Sequence, residues 1–381
     1  MSINLSRNTR LWVSTVLTGH DNSNTFEIPL QEDYSLSQSV SSSDVSVEEA
    51  GATPTRGSKR FNETLDPVDW SFTTYTTPYL DTNHYITDMM LWHALSNGNL
   101  TGTDFTNTST TSTVYGSTSD FTVGFTNNSA HVLKQIHLYF KIDNQTYLVK
   151  SAQVSQADIS VDIADIGQVS WSGQALSYEP VSDPAFMDSD GSNGTGLDEA
   201  APTSGKYVKI PTNKSYLVNK LTVMDMSADV APGANNNYII PITGASITIN
   251  NNVTYLTPST LSEVDKPIGS FTGTFDVSGS IQAYLKDTGG DGTSANKYGS
   301  AELLAHMLNN VAGAVTTAAD IVLNVGGDTG ARMQITLPIA HIAVPDLSIE
   351  AAVSTSFEFK GIPSSTSLVS GDEVSLKFFA S

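Results

Sequence analysis

The chain has 381 residues, among them 18 Lys and Arg, 39 Asp and Glu and no Cys, and its formal net charge at pH 7 is −21. The lack of cysteine excludes a disulfide framework, a thiolate metal site and a cysteine nucleophile. Because nucleic-acid binding depends on cationic contacts to phosphate, so acidic a chain is excluded as a DNA or RNA reader.

The length allows two or three domains, each large enough to form its own core. No uninterrupted apolar stretch of about 18 residues occurs in the sequence, and its first residues lack the apolar run of a signal peptide. We therefore expect a protein made in the cytoplasm without membrane insertion.

Most of the sequence predicts β-strands, because short segments alternate apolar and polar residues between turn residues. Phe121, Val123 and Phe125 alternate in this way, and Leu138 and Phe140 do so further along the chain. The fold class is therefore mainly β, built of antiparallel sheets with one buried face.

Two segments instead have the apolar spacing of helices. The first is 84–95, with a candidate N-cap at 81–83, and the second is 300–310, with Ser300 as the candidate N-cap and Glu302 in the first turn. We expect each helix to lie across a sheet.

The order of predicted elements occurs twice along the chain, which indicates an internal duplication. A strand, a helix and three further strands are predicted in the first half and again in the second. We therefore predict one domain over 1–178 and another over 206–381, each flanked by one helix. The polar stretch 97–130 is predicted as a surface excursion of the first domain, and the acidic, Gly-, Ser- and Pro-rich stretch 179–205 as the linker.

No pattern in the sequence assembles an active site or a metal site. None of the seven histidines has metal-ligand spacing, and the acidic stretch 188–199 resembles a calcium loop but has Asn193 where a sharp turn needs Gly. Neighbouring carboxylates such as Asp66 and Asp69 are compatible with a glycosidase, yet pairs of this kind arise by chance among so many acidic residues. We expect no enzyme, no metal and no cofactor.

The densest basic cluster is 56–60, Arg-Gly-Ser-Lys-Arg, within a polar region that runs from Gln31 to Asp66. On an acidic chain, such a cluster suits contact with an acidic patch on another copy. A solvated loop is an equally good interpretation of the composition.

The segments 47–62 and 65–75 resemble the N-terminal signature of tailed-bacteriophage tail tube proteins. Segments 138–141 with 166–173, and 242–258 with Pro267-Ile268-Gly269 and Tyr284-Leu285, resemble later parts of the same family. These stretches occur in the family order and span most of the chain.

The resemblance implies a β-sandwich or half-barrel tube domain flanked by a helix, whose inner sheets join around a ring into a β-barrel. Such rings stack into a hollow tube that conducts DNA into the host during genome ejection, without binding the DNA specifically. Two tandem tube domains per chain would give homotrimeric, pseudo-sixfold rings. The implied partners are other copies of the chain, a tail-tip initiator, a tail terminator and a tape measure protein in the lumen, and the implied location is the virion tail.

The same resemblance implies that the 31–66 loop reaches the adjacent ring, which makes the candidate inter-ring contacts Arg56, Lys59, Arg60, Glu48 and Glu49. The alternating and helical patterns predict the domain-core residues Trp70, Phe72, Trp92, Trp171, Leu304 and Phe357. The alternative from another functional class is a β-rich phage decoration or adhesin module that binds carbohydrate through Trp and Tyr side chains.

Overall fold

A computed structural model describes residues 9–20, 24–46, 57–77, 86–97, 114–116, 120–125, 131–143, 145–163, 165–182, 216–228, 237–257, 267–309, 318–349, 352–363 and 371–379. These residues are mostly in β-strands, so the predicted fold class is confirmed. The helices are α1 (Met89–Leu95) and α2 (Ser300–Asn309).

The strands before residue 200 are β1 (Thr9–Ser14), β2 (Thr25–Ile28), β3 (Tyr34–Val45), β4 (Lys59–Tyr75), β5 (Val114–Gly116), β6 (Asp120–Gly124), β7 (Ile136–Ile142), β8 (Gln145–Asp162), β9 (Gln168–Ala175) and β10 (Ser177–Val181). Those after it are β11 (Val223–Ala228), β12 (Asn237–Ile240), β13 (Ile242–Asn250), β14 (Val253–Leu256), β15 (Gly269–Thr272), β16 (Asp276–Tyr284), β17 (Ala318–Val325), β18 (Arg332–Ile342), β19 (Asp346–Ser348), β20 (Ser354–Gly361) and β21 (Ser375–Phe379).

One antiparallel sheet runs through both halves of the chain, and we call it the inner sheet. Its strand order is β3-β4-β9-β8-β13-β16-β20-β19. The halves meet where β8 pairs with β13, from Gln156 opposite Asn250 to Asp162 opposite Gly244. The two halves are therefore joined by a ladder of backbone hydrogen bonds, as parts of one sheet.

Two further sheets cover the apolar face of the inner sheet. The first has the order β10-β8-β7-β1-β2. The second has the order β6-β21-β18-β17-β11-β12. The long strands β8 and β18 belong to both layers, since each pairs with an outer-sheet neighbour near its start and with an inner-sheet neighbour near its end.

The strands pair in the same pattern in both halves of the chain, as the predicted duplication requires. We call β1–β4 with β7–β10 the first repeat, and β11–β13 with β16–β21 the second repeat. In the inner sheet, β3, β4, β9 and β8 correspond to β13, β16, β20 and the end of β18 with β19. In the outer sheets, β10, β7, β1 and β2 correspond to β21, β17, β11 and β12.

The core lies between the layers and is one apolar cluster that includes residues of both repeats. Helix α1 packs its Trp92 ring edge-to-face on Trp171 of β9, with 4.6 Å between ring centroids. The indole N–H of Trp171 donates to Thr74 Oγ1 at 2.9 Å. Large aromatic side chains are thus buried with their polar atoms bonded.

The first helix starts later than the sequence pattern predicts. It begins at Met89 and not at residue 84, because Asp88 takes the N-cap position and its carbonyl accepts the amides of Leu91 and Trp92. Helix α2 begins at the predicted Ser300. The Ser300 hydroxyl donates to the carbonyl of Tyr284 at 2.6 Å, which ties the start of the helix to the end of β16.

Part of the predicted surface excursion 97–130 is wrong. Strand β6 pairs with β21 of the second repeat, and its Phe121 and Val123 are buried. These alternating apolar residues enter the core because a second outer sheet is available to them. Most of 97–130 lies outside the described residues, as does 183–205 of the predicted linker, whereas Glu179 at its start belongs to β10.

Two glycines on the inner sheet each leave room for an aromatic ring on the neighbouring strand. A Cβ at Gly173 would lie 2.0 Å from the carbonyl oxygen of Gln153 and 2.6 Å from the Trp70 ring. A Cβ at Gly279 would lie 2.4 Å from the Phe359 ring. Both glycines are therefore required for close packing rather than for an unusual φ.

We predict that Gly173→Ala lowers the free energy of unfolding by about 1–3 kcal/mol, because the added methyl group overpacks the site. The matched control is Gly269→Ala in β15, where a Cβ meets no atom within 4 Å. Chemical denaturation of both variants measures the difference. Equal stability of the two variants would contradict this account of Gly173.

Candidate functional site: the polar face and open edges of the inner sheet

The inner sheet turns one face to the core and the other away from it, and we call the latter the polar face. Alternation along the strands places apolar residues such as Ile159 and Ile247 in the core. It places their chain neighbours Ser160 and Ser246 on the polar face. The strand registers assign to the polar face Ser35, Ser37, Asp69, Ser71, Thr73, Tyr75, Gln156, Asp158, Ser160, Asp162, Gln168, Ser170, Ser172, Gln174, Ser246, Thr248, Asn250, Asp276, Ser278, Ser280, Gln282, Tyr284, Asp346, Ser348, Ser354, Ser356, Glu358 and Lys360.

The residues of the polar face carry a net negative charge. Its carboxylates are Asp69, Asp158, Asp162, Asp276, Asp346 and Glu358, and its cationic member is Lys360. Lys360 Nζ forms an ion pair with Asp276, which offsets the positive charge locally. The polar face therefore presents hydroxyls, amides and carboxylates, a surface that repels a polyanion.

Hydrogen bonds between neighbouring strands organise the side chains of the polar face. Thr248 Oγ1 donates to Asp158 Oδ1 at 2.6 Å and Asn250 Nδ2 donates to Gln156 Oε1 at 3.0 Å, both across the junction of the repeats. The hydroxyls of Ser246 and Ser280 lie 3.0 Å apart. These cross-strand pairs support the register of the sheet.

The inner sheet ends in two open edges. Within the described residues, β3 pairs only with β4 and β19 pairs only with β20, so the outer side of each strand has no partner strand. Unpaired edges bind another strand readily, and soluble proteins normally protect or pair them.

The hairpin of β3 and β4 extends beyond the rest of the inner sheet and carries the described members of the predicted inter-ring set. Lys59 and Arg60 are exposed at its far end. Arg60 forms a bidentate ion pair with Asp44 across the hairpin, at 2.8 and 2.9 Å. Being exposed, this pair contributes little to folding stability. Arg56, Glu48 and Glu49 lie outside the described residues.

The predicted core residues fall into two groups. Trp70, Phe72, Trp92, Trp171 and Phe357 are buried. Leu304 is only half-buried, because α2 turns Leu303 and Met307 toward the core instead. Trp70 and Phe72 stack in β4 with 5.4 Å between centroids.

Two strongly shifted titratable groups, Asp88 and His137, lie in the core and in an outer sheet. Burial raises the pKa of Asp88 to about 7, although its hydrogen bond from Trp92 Nε1 at 3.1 Å opposes this. Burial, aided by Lys150, lowers the pKa of His137 to about 4. Among the described residues, no cluster of His, Asp and Glu side chains is placed to hold a metal ion.

Comparison with known proteins identifies the family. The family model described as phage tail tube protein matches residues 16–361. The chain belongs to the phage tail tube protein family. It is 41% identical to "Tail tube protein pb6" of Escherichia phage T5 over 387 residues, which cover 99% of this chain and 76% of that protein.

A solved chain in a cryo-EM structure of an anti-feeding prophage baseplate has 12% identity and a TM-score of 0.26, and the match covers 36% of this chain and 86% of that one.

Family membership confirms the resemblance found in the sequence and gives this tail tube protein its role. It is a structural component of the virion tail that assembles with copies of itself into a tube, and it is not an enzyme. In the described part of the chain, no helix is both long and apolar enough to cross a membrane.

We predict that Asp88→Asn stabilises the fold at alkaline pH. The folded-state pKa, about 7, lies above the unfolded value of 3.8, so the folded state holds the proton more tightly. Ionisation then opposes folding, and the stability of the native chain falls as pH rises through this interval. The asparagine keeps an acceptor for Trp92 Nε1 and removes the charge.

Thermal melts at about pH 5 and about pH 8 measure this effect. The melting temperature of Asp88→Asn is expected to exceed that of the native chain, with the larger gap at the higher pH. A gap that does not change with pH would contradict the assignment.

Proposed function

We propose that three chains join head to tail into a closed ring whose inner sheets form one continuous β-barrel, and that these rings stack into the tube. The observation that carries this proposal is the inner sheet, which runs unbroken through both repeats and ends in an unpaired edge on each side. A closed barrel removes both edges.

The number of chains follows from the duplication. The family resemblance implies six tube domains around a ring, and each chain supplies two repeats with the same strand pairing. The junction of β8 and β13 already joins two repeats within the chain. Three chains then provide six repeats, with junctions inside and between chains alternating around the ring.

The polar face is proposed to line the lumen, since the outer sheets cover the opposite face. DNA in such a channel meets Asp69, Asp158 and Asp162 among neutral hydroxyls and amides, and the carboxylates repel phosphate. Binding to DNA depends on cations that release counterions, and the lysine of this face is paired with Asp276. The wall would thus conduct DNA during genome ejection without holding it.

The β3–β4 hairpin is proposed to contact the adjacent ring. It reaches past the inner sheet, and its tip carries the exposed Lys59 beside the Arg60–Asp44 ion pair on a protein of net charge −21. Complementary charge of this kind sets orientation between copies. Arg56, Glu48 and Glu49 belong to the same proposal by their position in the sequence.

The tail-tip initiator, the tail terminator and the tape measure protein remain proposed partners, and the family resemblance supports them. The tryptophans that suggested the carbohydrate-binding alternative do not support it, whereas Tyr75 and Tyr284 are exposed. Trp70, Trp92 and Trp171 are buried in the core and present no stacking surface to a sugar.

Electron microscopy of the purified protein, with light scattering of intact rings separated from tubes, tests this proposal. We expect hollow tubes, and rings with three times the mass of one 40.5 kDa chain. Rings of six chains would contradict the assignment of two repeats per chain, and discrete monomers in the presence of a tail-tip initiator would contradict the ring itself.

We predict that lysines on the polar face slow the passage of DNA without preventing assembly. The variant Ser71→Lys/Ser280→Lys adds two cations to the proposed lumen wall, which would attract phosphate. Phage carrying it should have normal tails and slower ejection, and higher salt should restore the rate.

The matched control is Ser227→Lys, at an exposed position on β11 of an outer sheet. Its ejection rate should equal that of the native phage. Equal rates for control and polar-face variant in low salt would place the polar face outside the DNA path.

We predict that Lys59→Glu/Arg60→Glu leaves folded rings that stack poorly. The change reverses charge at the hairpin tip and also breaks the pair of Arg60 with Asp44. The swapped variant Asp44→Arg/Arg60→Asp restores that pair, so it separates damage to the hairpin from loss of contact between rings. Sedimentation of tubes against rings measures stacking, and tubes of native length from the first variant would contradict the hairpin's role.

A further inference from the structure

The pairing of β8 with β13 shows how one repeat receives the next, and it provides a template for the two open edges. At this junction Ile159 lies opposite Ile247, with Ser160 opposite Ser246 beside it. The open edge of β19 corresponds to the edge of β8 that pairs with β13. The open edge of β3 corresponds to the edge of β13 that pairs with β8. A pairing between chains that repeats this junction has a defined register.

Backbone contacts fix the correspondence between the repeats. At the end of β4, the amide of Thr76 donates to Gly167 O at 2.8 Å, and at the end of β16 the amide of Leu285 donates to Val353 O at 3.0 Å. Both bonds continue the ladder that precedes them. Thr76 therefore corresponds to Leu285, and Gly167 to Val353.

Bulges in the ladders agree with this correspondence. The register of β8 on β9 shifts between Val154 and Gln156. When residues are counted from the correspondence of Gly167 with Val353, the matching register shift on β20 is expected just after Ile342. The observed register shift lies between Ile342 and Asp346. The bulge thus falls at the same point in both repeats.

A swapped aromatic and glycine pair gives a third agreement. Trp70 on β4 lies opposite Gly173 on β9, and at the corresponding place Gly279 on β16 lies opposite Phe359 on β20. Each ring covers the glycine across from it. The two repeats use the same packing with the partners exchanged.

We infer that β3 of one chain pairs antiparallel with the 346–349 segment of a second copy in one register, which matches Tyr34 with Ile349, Ser35 with Ser348, Leu36 with Leu347 and Ser37 with Asp346. This inference rests on the proposed ring and identifies the residues that close it. Leu36 opposite Leu347 then repeats Ile247 opposite Ile159.

The burial of the two apolar residues on the edge supports this register. Ile159 and Val161 are 1% and 4% exposed at the junction within the chain. Their counterparts Leu347 and Ile349 are 47% and 79% exposed. Ile159 and Val161 are covered by the neighbouring repeat, whereas Leu347 and Ile349 have no repeat beside them within the chain. In the proposed pairing, a second copy covers Leu347 and Ile349.

The polar residues of the edge also match the template. At the junction, Thr248 Oγ1 donates to the carboxylate of Asp158. The counterparts are Ser37 and Asp346, so a hydroxyl again meets a carboxylate on the polar face. A shift by one residue would place Leu347 opposite a serine and turn the apolar set away from the core.

Paired cysteines test the register, since the chain has no cysteine of its own. Residues directly opposite in an antiparallel pair have Cα atoms about 4.5–5.5 Å apart, within the range of a disulfide. Ser35→Cys/Ser348→Cys should therefore convert the monomer band on non-reducing gels into covalently closed rings of three chains. Ser160→Cys/Ser246→Cys, at the junction within the chain, is the positive control and should form a bond inside each monomer.

Ser37→Cys/Ser348→Cys is the register control, because its residues are offset by two and lie about 7–8 Å apart. It should leave the monomer band unchanged. Electron microscopy of each sample shows whether rings are present. Rings without the Ser35–Ser348 cross-link, or with cross-linking of the register control in its place, would overturn the register and leave the ring standing, whereas the absence of any ring would overturn both.

Discussion

The backbone hydrogen-bonding groups along the outer sides of β3 and β19 have no partner strand within the described chain, and this constraint organises the rest of the molecule. An antiparallel sheet with two open edges is a template for further strands. Here the edges are the two ends of one sheet that already joins two repeats at β8 and β13. Pairing one edge with the other satisfies both, and a ring is the closed form of such head-to-tail contact.

The two repeats have the same strand pairing and spacing even where their side chains differ. Trp70 and Gly173 correspond to Gly279 and Phe359, so the ring and the space for it change strands while the spacing of the strands stays the same. The proposed lumen wall depends on which positions are polar and acidic more than on which polar residue occupies each of them. Hydroxyls, amides and carboxylates at alternate positions are sufficient to keep the polar face hydrated and negative.

The sequence predicted the features that depend on local patterns. Alternation identified the strands, and Ser300 with Glu302 marked the start of α2. Local patterns could not show that β6 joins the second repeat, because Phe121 and Val123 reveal their burial but not their partner strand. Likewise, the apolar spacing around residue 84 did not reveal that Asp88 takes the N-cap position, and Leu304 shares its helix with better-placed apolar neighbours. Alternation predicted sheets with one buried face, but it could not show which residues share the polar face, because that depends on registers such as that of β8 on β13.

Hydrogen exchange tests most directly the claim that the sheet continues from chain to chain. In 34–37 and 346–349, the amides that point away from β4 and β20 should exchange rapidly in dissociated chains and slowly in tubes, since edge pairing protects them. Amides near Ile159 and Ile247, paired within the chain, should be protected in both states. Intact tubes in which the edge amides exchange as rapidly as in dissociated chains would contradict the account.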